Sequence, residues 1–230
     1  MFDTAKRALG PALLLLLLVG CGAGDKPEGG GATKPTGDSS SGAGQPSALQ
    51  PPAVFGKLKF KTGAESTAFS LKPESNGYKL LDGAERELFR YTWKGDKLKI
   101  KDDADREVGY ITGADGKYKV KTADQQTVLF ILQRQEDGDW KLETGDEKLL
   151  VKINKREYGW ELEDAGEKEL YKVKLKDDKA SLRDAADETK LYTKDPLENL
   201  AALACLGLDA LNDAQRFGLF ARLNTPAEAK

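Results

Sequence analysis

From residue 58 onward, apolar and polar residues alternate in a pattern that returns every twenty residues. Units begin at Leu58, Tyr78, Leu98, Tyr118, Trp140, Trp160 and Ala180, at spacings of 20, 20, 20, 22, 20 and 20. The first and third positions of each unit are mostly apolar, as in Leu58/Phe60, Tyr78/Leu80, Leu98/Ile100, Tyr118/Val120, Trp140/Leu142 and Trp160/Leu162. Polar residues sit between and after them, which is the two-residue period of a strand with one wet and one buried face. A second apolar pair follows eleven and thirteen positions from the start: Phe69/Leu71, Phe89/Tyr91, Leu129/Ile131, Val151/Ile153 and Tyr171/Val173, weakening to Gly109/Ile111 and Leu191/Thr193. Between the two pairs each unit carries Asp or Thr followed by Gly, Ala or Asp, as in Asp82-Gly83-Ala84-Glu85 and Asp164-Ala165-Gly166-Glu167. Such residues form side-chain-capped turns and tolerate left-handed backbone. Each unit is therefore a β-hairpin, joined to the next by turns such as Ala114-Asp115-Gly116.

The fold class that follows is mainly β, an antiparallel meander of about 12–14 strands with its apolar residues on one face. An open sheet of that width would leave two bare edges, so closure into a barrel is expected. A membrane-spanning barrel is not, because it needs strands of about 9–11 residues and an apolar outer band. These strands run to about five or six residues and are dense in Lys and Glu.

A different period takes over near the C-terminus. Asp195-Pro196-Leu197-Glu198 reads as a helix start, with Asp as N-cap, Pro at the first position and Glu three residues after the cap. From Leu200 to Leu211 only Gly207 and Asp209 interrupt the apolar run. A helix over 196–212 that is apolar nearly all round must be buried on every side. At ~1.5 Å per residue a dozen residues span about 18 Å, too short for a bilayer and suited to the bore of a barrel. Beyond Asn212-Asp213, Phe217, Leu219, Phe220 and Leu223 suggest a short amphipathic turn or helix that plugs one end.

The N-terminal region has neither pattern. Lys6 and Arg7 precede an apolar stretch, Ala8 to Val19, that ends Leu18-Val19-Gly20-Cys21. This resembles the signal peptide and lipobox of a bacterial lipoprotein, with cleavage after residue 20 and acyl chains, palmitate among them, on Cys21. An ordinary secretory signal with an incidental cysteine is the alternative. Gly22, where a retention signal would place Asp, implies the outer membrane if the organism is Gram-negative. Residues 21–53 are rich in Gly, Ser and Pro and hold almost no large apolar side chain. They read as a flexible tether with a reach of roughly 30 Å. The barrel domain then occupies 54–230.

Composition narrows the chemistry. The 230 residues include 36 Lys+Arg, 38 Asp+Glu, two Cys and no His. Absence of histidine excludes Ser-His and Cys-His nucleophiles and His-ligated metals. Two cysteines cannot form a four-thiolate site, and Cys205 lies inside the apolar run as a small hydrophobe. A near-neutral balance argues against nucleic acid as partner. No cofactor or metal is expected, and the protein is expected to be a monomer.

The meander with Asp-Gly-like turns, followed by the aliphatic segment 197–213 ending Leu-Asp-Ala-Leu, resembles the tubby-like C-terminal superfamily, which includes the LURP-one-related proteins and the phospholipid scramblases. The resemblance covers roughly residues 55–223. It implies a barrel of twelve strands around a hydrophobic C-terminal helix, with basic surface residues recognising phosphoinositides or other membrane lipids. The chain departs from it in carrying seven units in place of six hairpins and in lacking the palmitoylated cysteine cluster of the scramblases.

Outward positions of the first four units hold Lys59, Lys61, Lys79, Lys99, Lys101, Lys119 and Lys121, while later units place Glu143, Glu161 and Glu163 there. The lysines form a candidate surface for anionic headgroups or an acidic envelope partner. The plainer account is a solvated face whose lysines pair with carboxylates across strands. Leu81, Tyr110, Phe130 and Leu132 form a candidate exposed apolar strip beside them, the alternative being that the tail covers them. A non-catalytic binding or scaffolding role is the expectation; the alternative is an envelope hydrolase using paired carboxylates, since acids are plentiful.

Overall fold

The computed structural model describes residues 54–225. The segments read from the sequence as a signal peptide and a tether, with Cys21, lie outside them. Fourteen strands are built in chain order: β1 (Leu58–Lys61), β2 (Thr67–Glu74), β3 (Gly77–Asp82), β4 (Glu87–Lys94), β5 (Lys97–Asp102), β6 (Glu107–Ala114), β7 (Lys117–Lys121), β8 (Val128–Arg134), β9 (Trp140–Thr144), β10 (Leu149–Arg156), β11 (Gly159–Asp164), β12 (Glu169–Lys176), β13 (Lys179–Asp184) and β14 (Thr189–Thr193). Each pairs antiparallel with its neighbours in sequence, and β14 returns to β1, so the barrel is closed. All seven units belong to it, two strands more than the family resemblance implies.

Two kinds of turn build the two ends. At the end called distal here, each unit turns through the Asp or Thr seen in the sequence. Asp82 Oδ1 accepts the N–H of Ala84 and of Arg86, and Asp102, Asp164 and Asp184 repeat the arrangement. The residue three positions on adopts a left-handed backbone in every unit: Glu65, Glu85, Asp105, Gln125, Glu147, Glu167 and Asp187 all have φ between 60° and 65°. Every one of these hairpins carries a register shift, and in six of the seven it is the bulge that a three-residue loop demands. At the opposite, proximal end the turns are tight and the ladders regular, as at Asp115-Gly116 and Asp177-Asp178.

The 22-residue unit has a simple physical account. Its distal turn closes Thr122 N–H onto Thr127 O, one residue further than Asp82 N–H onto Arg86 O in a 20-residue unit. A single inserted residue reverses which face a strand shows to the core. In β8 it is therefore Phe130 and Leu132 that face inward, paired with Val120 and Tyr118, and not the expected Leu129/Ile131. The following turn, closed by Gln135 N–H onto Asp139 O, encloses three residues where Lys94/Lys97 enclose two, and this restores the phase.

The expected α-helix over 196–212 is not what fills the bore. Residues Leu200–Gly207 form a 3-10 helix, and α1 (Asp213–Asn224) follows it after a short turn. Asp195 is not an N-cap: its carboxylate closes the barrel seam by accepting the N–H of Lys59 at 2.6 Å. Asn199 caps the 3-10 helix instead, accepting from Ala201 N–H. The bore holds two passes of chain, so each must be slim. A 3-10 helix is thinner than an α-helix, and its Ala201, Ala202, Ala204 and Gly207 keep it so. A Cβ on Gly207 would lie 3.0 Å from Leu162 and 3.1 Å from Tyr171. α1 is fixed at its start by a reciprocal cap between Asn212 and Gln215. It runs back along the bore with Phe217 and Phe220 packed edge-on against Phe60, and with Gly218 against Ile100 and Ile111.

Two expectations follow for stability. Leu206, 4% exposed at the centre of this packing, replaced by Asp would bury an unpaired charge at a cost of several kcal/mol, and calorimetry should show loss of the cooperative melting transition. Asp177 and Asp178 both have positive φ, 49° and 61°, in a turn that favours Asn-Gly. Asp177→Asn with Asp178→Gly should therefore stabilise by about 1 kcal/mol, raising Tm by ~2–4 °C.

Candidate functional site

The seven lysines do lie on the outer wall of the barrel, on β1, β3, β5 and β7. What the odd strands alone conceal is the chemistry of the strands between them. Direct pairing sets Lys72 beside Lys79, Lys79 beside Arg90, and Arg90 beside Lys101, a row of four cations across β2 to β5. Like charges so placed repel unless neutralised, and carboxylates from the same strands and turns do this. Lys79 Nζ lies 2.9 Å from Glu74 and 3.4 Å from Glu87. Arg90 meets Glu87 at 2.9 Å, Lys101 meets Asp105 at 2.8 Å, and Lys72 meets Glu85 at 3.7 Å. The hydrogen bond from Lys79 to Glu74 is the main reason that its pKa is raised.

Lys99 is the most enclosed of the set, only 8% exposed. Its Nζ donates to Glu107 at 2.8 Å, and Tyr110 donates to the other oxygen of the same carboxylate at 2.8 Å. The bond to Glu107 holds the lysine pKa above its ordinary value. Lys121 donates to the backbone carbonyl of Gln125. Lys59 is exposed, Lys61 and Lys119 are half-buried, and none of the three has an ion-pair partner among the described residues. Three of the seven are thus committed to carboxylates. The later units are no freer: Glu143 takes Lys141, and Glu161 and Glu163 share Arg156.

The candidate apolar strip does not form. Leu132 is 1% exposed and faces the bore with Phe130, because of the inserted residue described above. Leu81 and Tyr110 stay on the outer wall but are covered, at 6% and 5% exposure. The partners that matter were legible in part, since Glu87, Glu107 and Glu169 occupy one repeat position, nine residues after a unit start.

Outside the walls, the described residues bring no three Asp, Glu, His or Cys side chains into a metal-binding group. Among them, no helix is long and apolar enough to cross a membrane. Cys205 is fully buried, and burial pushes its thiol pKa far up, so it is inert as a nucleophile. A shallow recess over the β8–β9 turn, lined by Gln133 to Asp137, opens widely to solvent.

No family model matches the chain, and no curated protein matches it. Among solved structures it is similar to an X-ray structure of a protein from Arabidopsis thaliana, with a TM-score of 0.38 and 11% identity over 70% of this chain and 91% of that one.

The turn carboxylates have a consequence for pH. Asp82, Asp102 and Asp184 are held below the ordinary carboxyl range: backbone N–H donation from Arg86 dominates at Asp82, and the side chains of Arg106 and Lys190 dominate at the other two. A depressed folded-state pKa gives stability that is present above the unfolded value, near 4, and lost as pH falls through the folded one. Thermal melts should therefore show a fall in Tm below about pH 4. A variant with Asp82, Asp102 and Asp184 all changed to Asn keeps the amide acceptors and should show a smaller fall. An equal fall in both proteins would place the acid sensitivity elsewhere.

Proposed function

We propose that this chain is a lipid-anchored lipoprotein of the bacterial cell envelope whose barrel is a non-catalytic binding or scaffolding module of the tubby-like kind. The observation that carries the reading is the filled bore. In a barrel that binds a small molecule the interior is the natural ligand space; here it is packed with the chain's own Leu203, Phe217, Leu219 and Phe220, each at most 2% exposed. Recognition is thereby left to the outside of the barrel. The anchor reading rests on the sequence alone: basic Lys6 and Arg7, the Leu-rich run, and Cys21 directly after Gly20. A closed antiparallel barrel threaded by an apolar C-terminal segment supports the tubby-like reading, with the fourteen-strand count as its departure. An anionic lipid or an acidic envelope protein would meet the wall through Lys59, Lys61, Lys119 and Lys121, the members of the seven not bonded to a carboxylate.

The test is fractionation of cells expressing the full chain. Wild type should sediment with membranes and yield an N-terminal peptide whose mass carries acyl groups on Cys21. Cys21→Ala should yield no acylated peptide, and any of it that is cleaved should appear in the soluble fraction. A wild-type N-terminal peptide without acyl mass would overturn the anchor.

A further inference from the structure

The two ends of the barrel are chemically unlike. The seven distal turns, spanning 62–66, 82–86, 102–106, 122–127, 144–148, 164–168 and 184–188, hold fourteen Asp and Glu against four Lys and Arg. The proximal end is different in kind. Of the four exposed large apolar side chains among the described residues, three are there: Leu175 at 57%, Tyr158 at 37% and Val54 at 37%. Val108, at 42%, is the one at the distal end.

Leu175 and Tyr158 belong together. The register pairs Gly159 with Lys174, which sets the residues on either side of that pair next to one another at the rim. Half-buried Trp160 and Leu200 back them, with Leu200 Cδ2 only 3.7 Å from where a Cβ on Gly159 would sit. The same arc, from the β10–β11 turn round to β1, carries Lys57, Lys155, Lys176, Lys179 and Lys194 without ion-pair partners among the described residues. Arg156 and Lys174, beside them, are paired with Glu161 and with Asp187 of the distal turn. Glu157, Asp177, Asp178, Asp195 and Glu198 balance those lysines in number, so the arc is near neutral where the distal end is acidic. Apolar and aromatic tips bordered by flexible lysines suit the boundary between headgroups and acyl chains.

The chain also enters the barrel at this end, since Val54 leads directly into Leu58, the proximal residue of β1. We propose that the proximal arc centred on Leu175 and Tyr158 is the face by which the barrel rests on an anionic phospholipid bilayer, with the acidic turns held away from it. The inference rests on the anchored reading for the identity of that bilayer, and its contact residues are distinct from the seven wall lysines. Repulsion between the distal carboxylates and an anionic surface turns that end away, and the near-neutral arc with its apolar tips is the end left to make contact.

The test places an environment-sensitive fluorophore on Leu175→Cys or on Val108→Cys in the full chain; fully buried Cys205 is shielded from labelling. Each protein, lipidated or carrying Cys21→Ser, is mixed with phosphatidylcholine vesicles with and without phosphatidylglycerol, their acyl chains brominated. The label at 175 should be quenched at least twofold on the anionic vesicles and the label at 108 unchanged. Quenching at 175 in the lipidated protein alone still supports the arc, with the anchor supplying proximity. An anchored protein with an unquenched label at 175, or equal quenching at both sites, overturns the orientation and leaves the anchor standing. Quenching at 175 in a chain whose Cys21 proves unacylated keeps the arc and removes the anchor. A label at 175 already shielded in the absence of vesicles shows that another part of the chain covers the patch, and overturns the proposal.

Discussion

A closed sheet of fourteen strands encloses a bore that water cannot be allowed to fill, because its inner wall is lined with Leu, Ile, Val, Phe, Tyr and Trp. Everything else in the fold answers to that requirement. The residues from Leu200 to Asn224 return through the bore as a 3-10 helix and an α-helix side by side, and the choice of Ala and Gly along them is dictated by the width available to two passes. Where polar atoms enter this interior they are placed at the ends. Tyr91 donates to the Ala214 carbonyl at one end of α1. At the other, the Arg222 guanidinium donates to the Gly113 carbonyl at 2.9 Å while lying over the rings of Trp93 and Tyr118. The barrel and its filling are therefore a single folding unit.

Most of this was legible in the sequence because strands have a period of two and the hairpins repeat. The twenty-residue spacing, the Asp or Thr at each distal turn and the single wet face all appear in the chain before any coordinate. Three things were not legible, each for a physical reason. The 22-residue unit hides two separate insertions of one residue, and only pairing reveals that the first reverses β8 before the second restores the phase. Asp195-Pro196 has the residues of a helix start, yet the same carboxylate has a stronger claim on it from Lys59 across the seam, 136 positions away in the chain. The apolar run at 200–211 specifies burial but not helix type, which depends on the second pass beside it.

The wall lysines were legible as a pattern and misleading as a surface. Read from the odd strands they form a basic stripe; once the even strands and the turns are in place, much of that stripe neutralises carboxylates. Left-handed positions in the distal turns carry acids in six of seven units, and four of these, Glu85, Asp105, Glu167 and Asp187, meet a lysine from the wall. Wall and rim form one electrostatic system, in which the cations serve the turns. What distinguishes the proximal arc is its exposed Leu175 and Tyr158 among charges of both signs, where the distal end is predominantly acidic.

The seam between β1 and β14 sets the order in which the molecule can be made. Each hairpin joins residues close in the chain and can form as soon as both its strands have been synthesised. The ring cannot: its first strand has no partner on its outer edge until the last strand appears, and the bore is not fully filled until α1 ends at Asn224. For the whole of synthesis the growing sheet presents a free edge and an uncovered apolar face, the two features that invite aggregation. A sheet of this design stays open until β14 and α1 are in place, which makes that strand and that helix the parts least able to tolerate truncation.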